Sequence, residues 1–238
     1  MKLFSQAQCL ICHEIIQPKI GWKAIFSEEK GLNLCPTCEG KFALIEGERC
    51  RVCSRPFQYL DERFRHGDMC HDCKRWEEDD DWKGYLDSNH SIYRYNDFFK
   101  EVMATFKYRG DYVLAIIFAE KIKDLISQLQ PELIVPIPLS SERLYERGFN
   151  QAEALLNESG LPPTIPLTRI HSEKQSKKSR SERIHIPQVF EVDRQTEVIG
   201  KNIVLIDDIY TTGSTLRHAA KLLKESGAER VQSLTLAR

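Results

Sequence analysis

The chain has 238 residues, a formal net charge of −1 and eight cysteines, all between Cys9 and Cys73. Near-neutral charge excludes a global attraction to polyanions, so any contact with nucleic acid has to come from a local patch. No stretch approaches the roughly 18 apolar residues of a membrane span, and "MKLFSQAQC" lacks the apolar core of a secretory signal, so the default address is the cytoplasm.

The thiols fall into four Cys-x-x-Cys pairs: Cys9/Cys12, Cys35/Cys38, Cys50/Cys53 and Cys70/Cys73. Two residues between thiolates let both sulfurs turn onto one ion, and two such pairs close a tetrahedral structural Zn²⁺ site. Sequential pairing, two pairs to each of two ions, is the most economical arrangement; an interleaved one stays open. In a reducing compartment metal ligation outranks disulfides, and no βαβ pattern surrounds a pair as a thioredoxin-like site would require. A core of this size supplies about 3–5 kcal/mol, whereas structural zinc supplies roughly 10–16 kcal/mol. Residues 1–75 are therefore read as a double zinc ribbon, with His13, His66 and His71 as bystanders. Trp22, Phe26, Phe42, Phe57, Tyr59 and Phe64 fill the small cores in the simpler reading; stacking on exposed bases is the alternative.

Residues 76–90 carry the acidic run Glu77 to Asp81, which suits a solvated linker. The second domain, residues 91–238, alternates short apolar runs with amphipathic ones. "SIYRY" predicts a strand, Asn96 or Asp97 caps the helix "FFKEVMATFKY", and Asp111 caps a helix from Tyr112 to about Leu129. "ELIVPIP" predicts a buried strand and "QAEALLNES" a helix, which Phe149, Asn150 and Gln151 cap and seat. "NIVLID" is another buried strand, "STLRHAAKLLKES" a helix ended by Gly227, and "VQSLTLA" a last strand. Within that last helix Leu216, Ala219, Ala220 and Leu223 share one face. The alternation implies a parallel α/β sheet with ligands at the carboxyl ends of its strands.

At one such end lies "VLIDDIYTTGST". Thr211, Thr212, Gly213, Ser214 and Thr215 form the turn into a helix N-terminus, where free amides and the dipole accept a phosphate. No lysine follows the glycine as in a P-loop, and there is no Gly-x-Gly-x-x-Gly. What remains is a monophosphate loop with Asp207 and Asp208 on its rim as acceptors for adjacent sugar hydroxyls. This resembles the signature of type I phosphoribosyltransferases, which implies their fold and a ligand, 5-phosphoribosyl-1-pyrophosphate with Mg²⁺. By that resemblance the acids hold the ribose hydroxyls and metal, and the loop holds the 5′-phosphate.

Three further stretches, "VPIPLSSERLYERGFNQAEALL", "LTRIHSEKQSKKSRSERIHIPQVF" and "FKYRGDY", resemble elements of the ComF family, and with the cysteine ribbons the likeness covers nearly the whole chain. The family implies a role in natural transformation on the cytoplasmic side, peripheral to the inner face of the membrane, beside the uptake machinery and its other competence proteins, where single-stranded DNA arrives. Arg143 and Arg147, one turn apart on a predicted helix, are candidates to meet the leaving pyrophosphate, as is Lys107. The basic segment Arg169 to Arg183 suits a mobile lid or a DNA grip, with Gln175, Lys177, Lys178, Arg180 and Arg183 as candidates. Three readings compete: a competence factor binding phosphoribosyl pyrophosphate and single-stranded DNA, a transferase acting on an unidentified base or small acceptor, and a sensor of the ligand that does not turn it over.

Overall fold

The computed structural model describes residues 7–16, 33–170, 189–193 and 195–238. In chain order the cysteine-bearing part contains α1 (Pro36–Glu39), β1 (Arg65–His66), β2 (Met69–Cys70) and α2 (His71–Glu78). There follow β3 (Ser88–Tyr93), α3 (Asp97–Tyr108), a 3₁₀ segment (Tyr112–Phe118) running into α4 (Ala119–Leu129), β4 (Leu133–Pro136), α5 (Ser141–Arg147) and α6 (Gln151–Glu158). The chain then forms β5 (Leu167–Arg169), β6 (Phe190–Val192), β7 (Asn202–Ile209), α7 (Ser214–Glu225) and β8 (Arg230–Ala237).

Four strands form a parallel sheet in the order β3-β8-β7-β4. In β7, Ile203 and Leu205 face one side while Val204 and Ile206 face the other, as the two-residue strand period demands. Both faces are covered, so the run is apolar throughout rather than alternating. One face carries α7 through Leu216, Ala219, Ala220 and Leu223, the four residues that the helical period groups together. The other carries α3, α4 and α6, with Phe99, Phe106, Phe118 and Leu155 at its centre.

Local signals explain the boundaries. The Asn96 side chain accepts the Phe99 amide at 2.8 Å, Ser140 caps α5, and Asn150 caps α6 by accepting the Ala152 amide at 2.9 Å. The predicted helix from Tyr112 begins as a 3₁₀ segment, and Asp111 makes no side-chain cap there. β5 and β6, a short antiparallel pair flanking residues 171–188, were not expected from periodicity.

The cysteine-bearing part packs on both faces. The second group of cysteines shares a core with Tyr210, Leu216 and the sheet. The first packs through Ile11 and Phe98 toward α3, with Phe42 in edge contact with Phe98, Phe99 and Phe118. The acidic run differs from a fully solvated connector. Asp80 and Asp81 are exposed, but Trp82 and Leu86 are buried and Glu77 pairs at 2.9 Å with Arg217, which is wholly buried. The physical reason is the cation: a buried guanidinium requires a carboxylate partner. Among the described residues no helix is long and apolar enough to cross a membrane.

Candidate functional site

The eight cysteines gather as two tetrads, Cys9/Cys12/Cys35/Cys38 and Cys50/Cys53/Cys70/Cys73, with the four ligand atoms of each within 4.8 Å of one another. Cys35 Sγ accepts the Cys38 amide at 3.4 Å and Cys50 Sγ accepts the Cys70 amide at 3.3 Å. Four converging sulfurs, one in each tetrad accepting a backbone amide, fit a closed structural Zn²⁺ site. The pairing is sequential, and neither tetrad includes a histidine; His66 and His71 instead meet each other at 3.2 Å.

Of the aromatic residues in this part, Phe57 is buried under Arg65, while Tyr59 and Phe64 are exposed beneath Arg94 and Arg63 at 4.1 and 4.7 Å. The ribbon arginines are largely matched by acids: Arg51 with Asp68, Arg55 with Asp72, Arg63 with Asp61 and Arg65 with Glu48. Trp22 and Phe26 lie outside the described residues.

At the carboxyl end of β7, pairing with β4 stops at Ile206, so Asp207 and Asp208 emerge just where the neighbouring strand ends. Burial, then the adjacent Asp208 charge, pushes the Asp207 carboxyl up to about 7. The Asp208 amide donates to Asp207 Oδ1 at 2.8 Å. Lys107, on the last turn of α3, reaches Asp208 Oδ2 at 2.6 Å, with both side chains largely buried. Lys107 thus sits against the acid pair itself.

The turn after β7 leads through Thr211 and Thr212 to Gly213 at the N-cap of α7, in the left-handed conformation with φ 79°. Having no side chain, Gly213 leaves the first-turn amides of α7 without a side-chain cap, and the Ser214 amide meets Thr212 Oγ1 only at 3.4 Å. A Cβ at 213 would overlap the Tyr210 hydroxyl, so glycine is required by space as well as by φ. The result is a set of backbone donors at a positive helix end, one turn from two carboxylates, able to take an anion beside a group rich in hydroxyls.

Arg143 is exposed on α5. Arg147, on the same helix, donates to Gln151 Oε1 at 2.8 Å and lies over Tyr108 at 5.9 Å, so in this structure it is turned to the start of α6 and the end of α3 rather than to the acids. Arg169, legible in the sequence only as the first residue of a basic segment, is more central. Burial and then the Arg143 charge lower its pKa, while Asp207 opposes that shift, so both charges act on Arg169. Gln175, Lys177, Lys178, Arg180 and Arg183 lie outside the described residues.

Trp76, Arg217 and Arg238 have no motif to announce them, yet they surround the turn: the Trp76 indole donates to the Thr212 carbonyl at 3.1 Å and Arg238 to the Thr211 carbonyl at 2.9 Å. Trp76 is 136 positions from Thr212 and Glu77 is 140 from Arg217, while Arg238 follows the last strand, all beyond the reach of any local pattern.

Comparison with known proteins identifies both parts of the chain. The phosphoribosyl transferase domain family matches residues 114–238, and the double zinc ribbon domain family matches residues 2–74. The competence protein ComFC of Bacillus subtilis is 38% identical over 234 residues, covering 97% of this chain and 94% of that protein. ComFC of Streptococcus pneumoniae is 31% identical, covering 97% of this chain and 100% of its own length. Among solved structures, the glutamine phosphoribosylpyrophosphate amidotransferase of B. subtilis aligns at 22% identity and a TM-score of 0.35, over 51% of this chain and 26% of that one. The chain belongs to the family of the ComFC competence proteins, with a phosphoribosyl transferase domain behind a double zinc ribbon.

Proposed function

We propose that the chain serves natural transformation by binding Mg-phosphoribosyl pyrophosphate at the carboxyl end of β7 and contacting single-stranded DNA on the cytoplasmic side. The observation that carries the reading is the meeting of an acid pair with a glycine-capped helix N-terminus at the end of a central parallel strand. The 5′-phosphate rests on the first-turn amides of α7 with Thr211, Thr212, Ser214 and Thr215 around it. Asp207 and Asp208 accept from the ribose 2′ and 3′ hydroxyls, and Lys107, paired with Asp208 at 2.6 Å, holds that side chain in place. Mg²⁺ accompanies the pyrophosphate and supplies countercharge. Arg143 and Arg169 face the same end, where cations stabilise the diphosphate as it departs from C1.

The DNA contact draws support from an exposed lip beside this site. Tyr108 and Tyr145 are 72% and 91% exposed, and Arg143 and Arg147 share α5 with Tyr145. Aromatic faces for bases next to guanidinium groups for phosphates suit a single strand. Calorimetric titration of Mg-phosphoribosyl pyrophosphate tests the core of the proposal. The parent binds and Asp207→Asn with Asp208→Asn binds at least tenfold more weakly, since each lost charged hydrogen bond removes about 1.5–3 kcal/mol; equal affinity would refute the ribose assignment.

A further inference from the structure

The phosphate turn is held from outside its own strand and helix, and the outside holds all lead to the second cysteine tetrad. Trp76 and Glu77 lie three and four residues after Cys73 on α2, hence on one face with it. Trp76 donates to the Thr212 carbonyl at 3.1 Å, and Glu77 pairs at 2.9 Å with Arg217 in the first turn of α7. Arg217 lies over the Trp76 ring at 5.1 Å. Arg238 donates to the Thr211 carbonyl at 2.9 Å and the Tyr210 carbonyl at 3.4 Å, and its side chain also reaches Cys53.

Charge explains why one guanidinium group is wholly buried here and a second is half-buried. Four thiolates around one divalent zinc carry a net charge of about −2. Arg217 keeps Nε and Nη2 buried without a hydrogen-bond partner, and Arg238 keeps its Nε so. Buried cations with open donors are costly unless negative charge stands beside them. Cys73 stands beside Arg217, and Cys53 and Cys70 beside Arg238. A loaded second tetrad is therefore the countercharge that lets both arginines remain where they brace the turn. The first tetrad packs instead with Ile16, Leu34, Ile11 and Phe98.

We infer that the second tetrad, Cys50, Cys53, Cys70 and Cys73, is a working part of the phosphate turn: with zinc bound it fixes Trp76, Arg217 and Arg238 as positioning residues, so that metal retention there and ligand affinity at residues 211–215 are linked. The inference rests on the reading of this turn as a phosphate site. Linkage is reciprocal, so a ligand in the turn must tighten zinc at the second tetrad by the same factor that zinc tightens the ligand, while the first tetrad serves as an internal control.

The experiment uses the full zinc-loaded chain in equilibrium competition with a chromogenic zinc chelator, with and without saturating Mg-phosphoribosyl pyrophosphate, binding of the ligand being established separately by calorimetry. The expected result is that one of the two zinc ions is retained about tenfold more tightly when ligand is present and the other is unchanged. Cadmium-113 resonances of the cadmium-substituted chain show which tetrad responds. Trp76→Phe keeps the ring and both metals, loses the indole donor, and loses most of the protection. Ligand binding with zinc affinity unchanged at both tetrads overturns the inference, as does full protection in Trp76→Phe. Absence of any ligand binding overturns the phosphate-site reading and this inference with it.

Discussion

Replacing Gly213 by alanine adds one methyl group where the turn enters α7, and the structure sets its cost in two parts. The backbone stands at φ 79°, where a non-glycine residue costs roughly 1–2 kcal/mol. The new Cβ would overlap Tyr210 Oη and Cζ and lie 3.0 Å from Cε1. Tyr210 is 2% exposed, packed among the second cysteine group and α7, so its ring has nowhere to swing and overpacking adds about 1–3 kcal/mol. Together Gly213→Ala destabilises the chain by about 2–5 kcal/mol. Urea unfolding of the zinc-loaded chain measures it, and a double-mutant cycle with Tyr210→Leu separates the parts. With the ring gone, the alanine costs only the backbone term of about 1–2 kcal/mol. A loss below about 0.5 kcal/mol in the parent, or the same loss in both backgrounds, would refute the claim that Tyr210 and the left-handed turn jointly demand glycine.

Lys107→Met leaves Asp208 as a largely buried, unmatched carboxylate and lowers stability by about 3 kcal/mol, much of which returns when Asp208→Asn is added; urea midpoints of the single and double variants check this. The Asp207 carboxyl, raised to about 7, gives a pH signature. The folded state holds a proton that the unfolded chain has released, so this contribution to stability is full below the ordinary carboxylate range and is lost as pH rises through about 7. From about pH 4 to about pH 7, therefore, ligand-free stability falls with pH and then levels off, while affinity for the sugar ligand increases up to about pH 7, and Asp207→Asn flattens both profiles. Single-stranded DNA affinity measured by anisotropy falls steeply with salt, because guanidinium groups displace counterions from phosphates; an affinity indifferent to salt contradicts a grip by basic residues.

The parallel sheet and the two metal groups were legible because their signals are local. Apolar runs such as "NIVLID" need no partner to be recognised, and a Cys-x-x-Cys spacing already brings two sulfurs to one ion. Leu216, Ala219, Ala220 and Leu223 were likewise visible as one face, whereas Arg217 between them carries no hint that it is fully buried. Its partner Glu77 is 140 residues away, in a run whose charge alone suggests a solvated connector. Trp76 and Arg238 were hidden for the same reason: their hydrogen bonds go to main-chain carbonyls, which leave no residue-type trace. The 3₁₀ start at Tyr112 was missed because "YVLAIIF" is apolar nearly throughout and fits either winding. Arg169 became notable only when the fold brought it under the influence of the Arg143 and Asp207 charges.

The central claim is that an activated pentose binds at the end of β7. A crystal structure of the chain soaked with Mg-phosphoribosyl pyrophosphate tests it most directly. The expected result is the 5′-phosphate within hydrogen-bond reach of the main-chain amides of residues 213–215 and the ribose diol on the carboxylates of Asp207 and Asp208. A ligand bound elsewhere, with these carboxylates turned away and the turn empty, would contradict it.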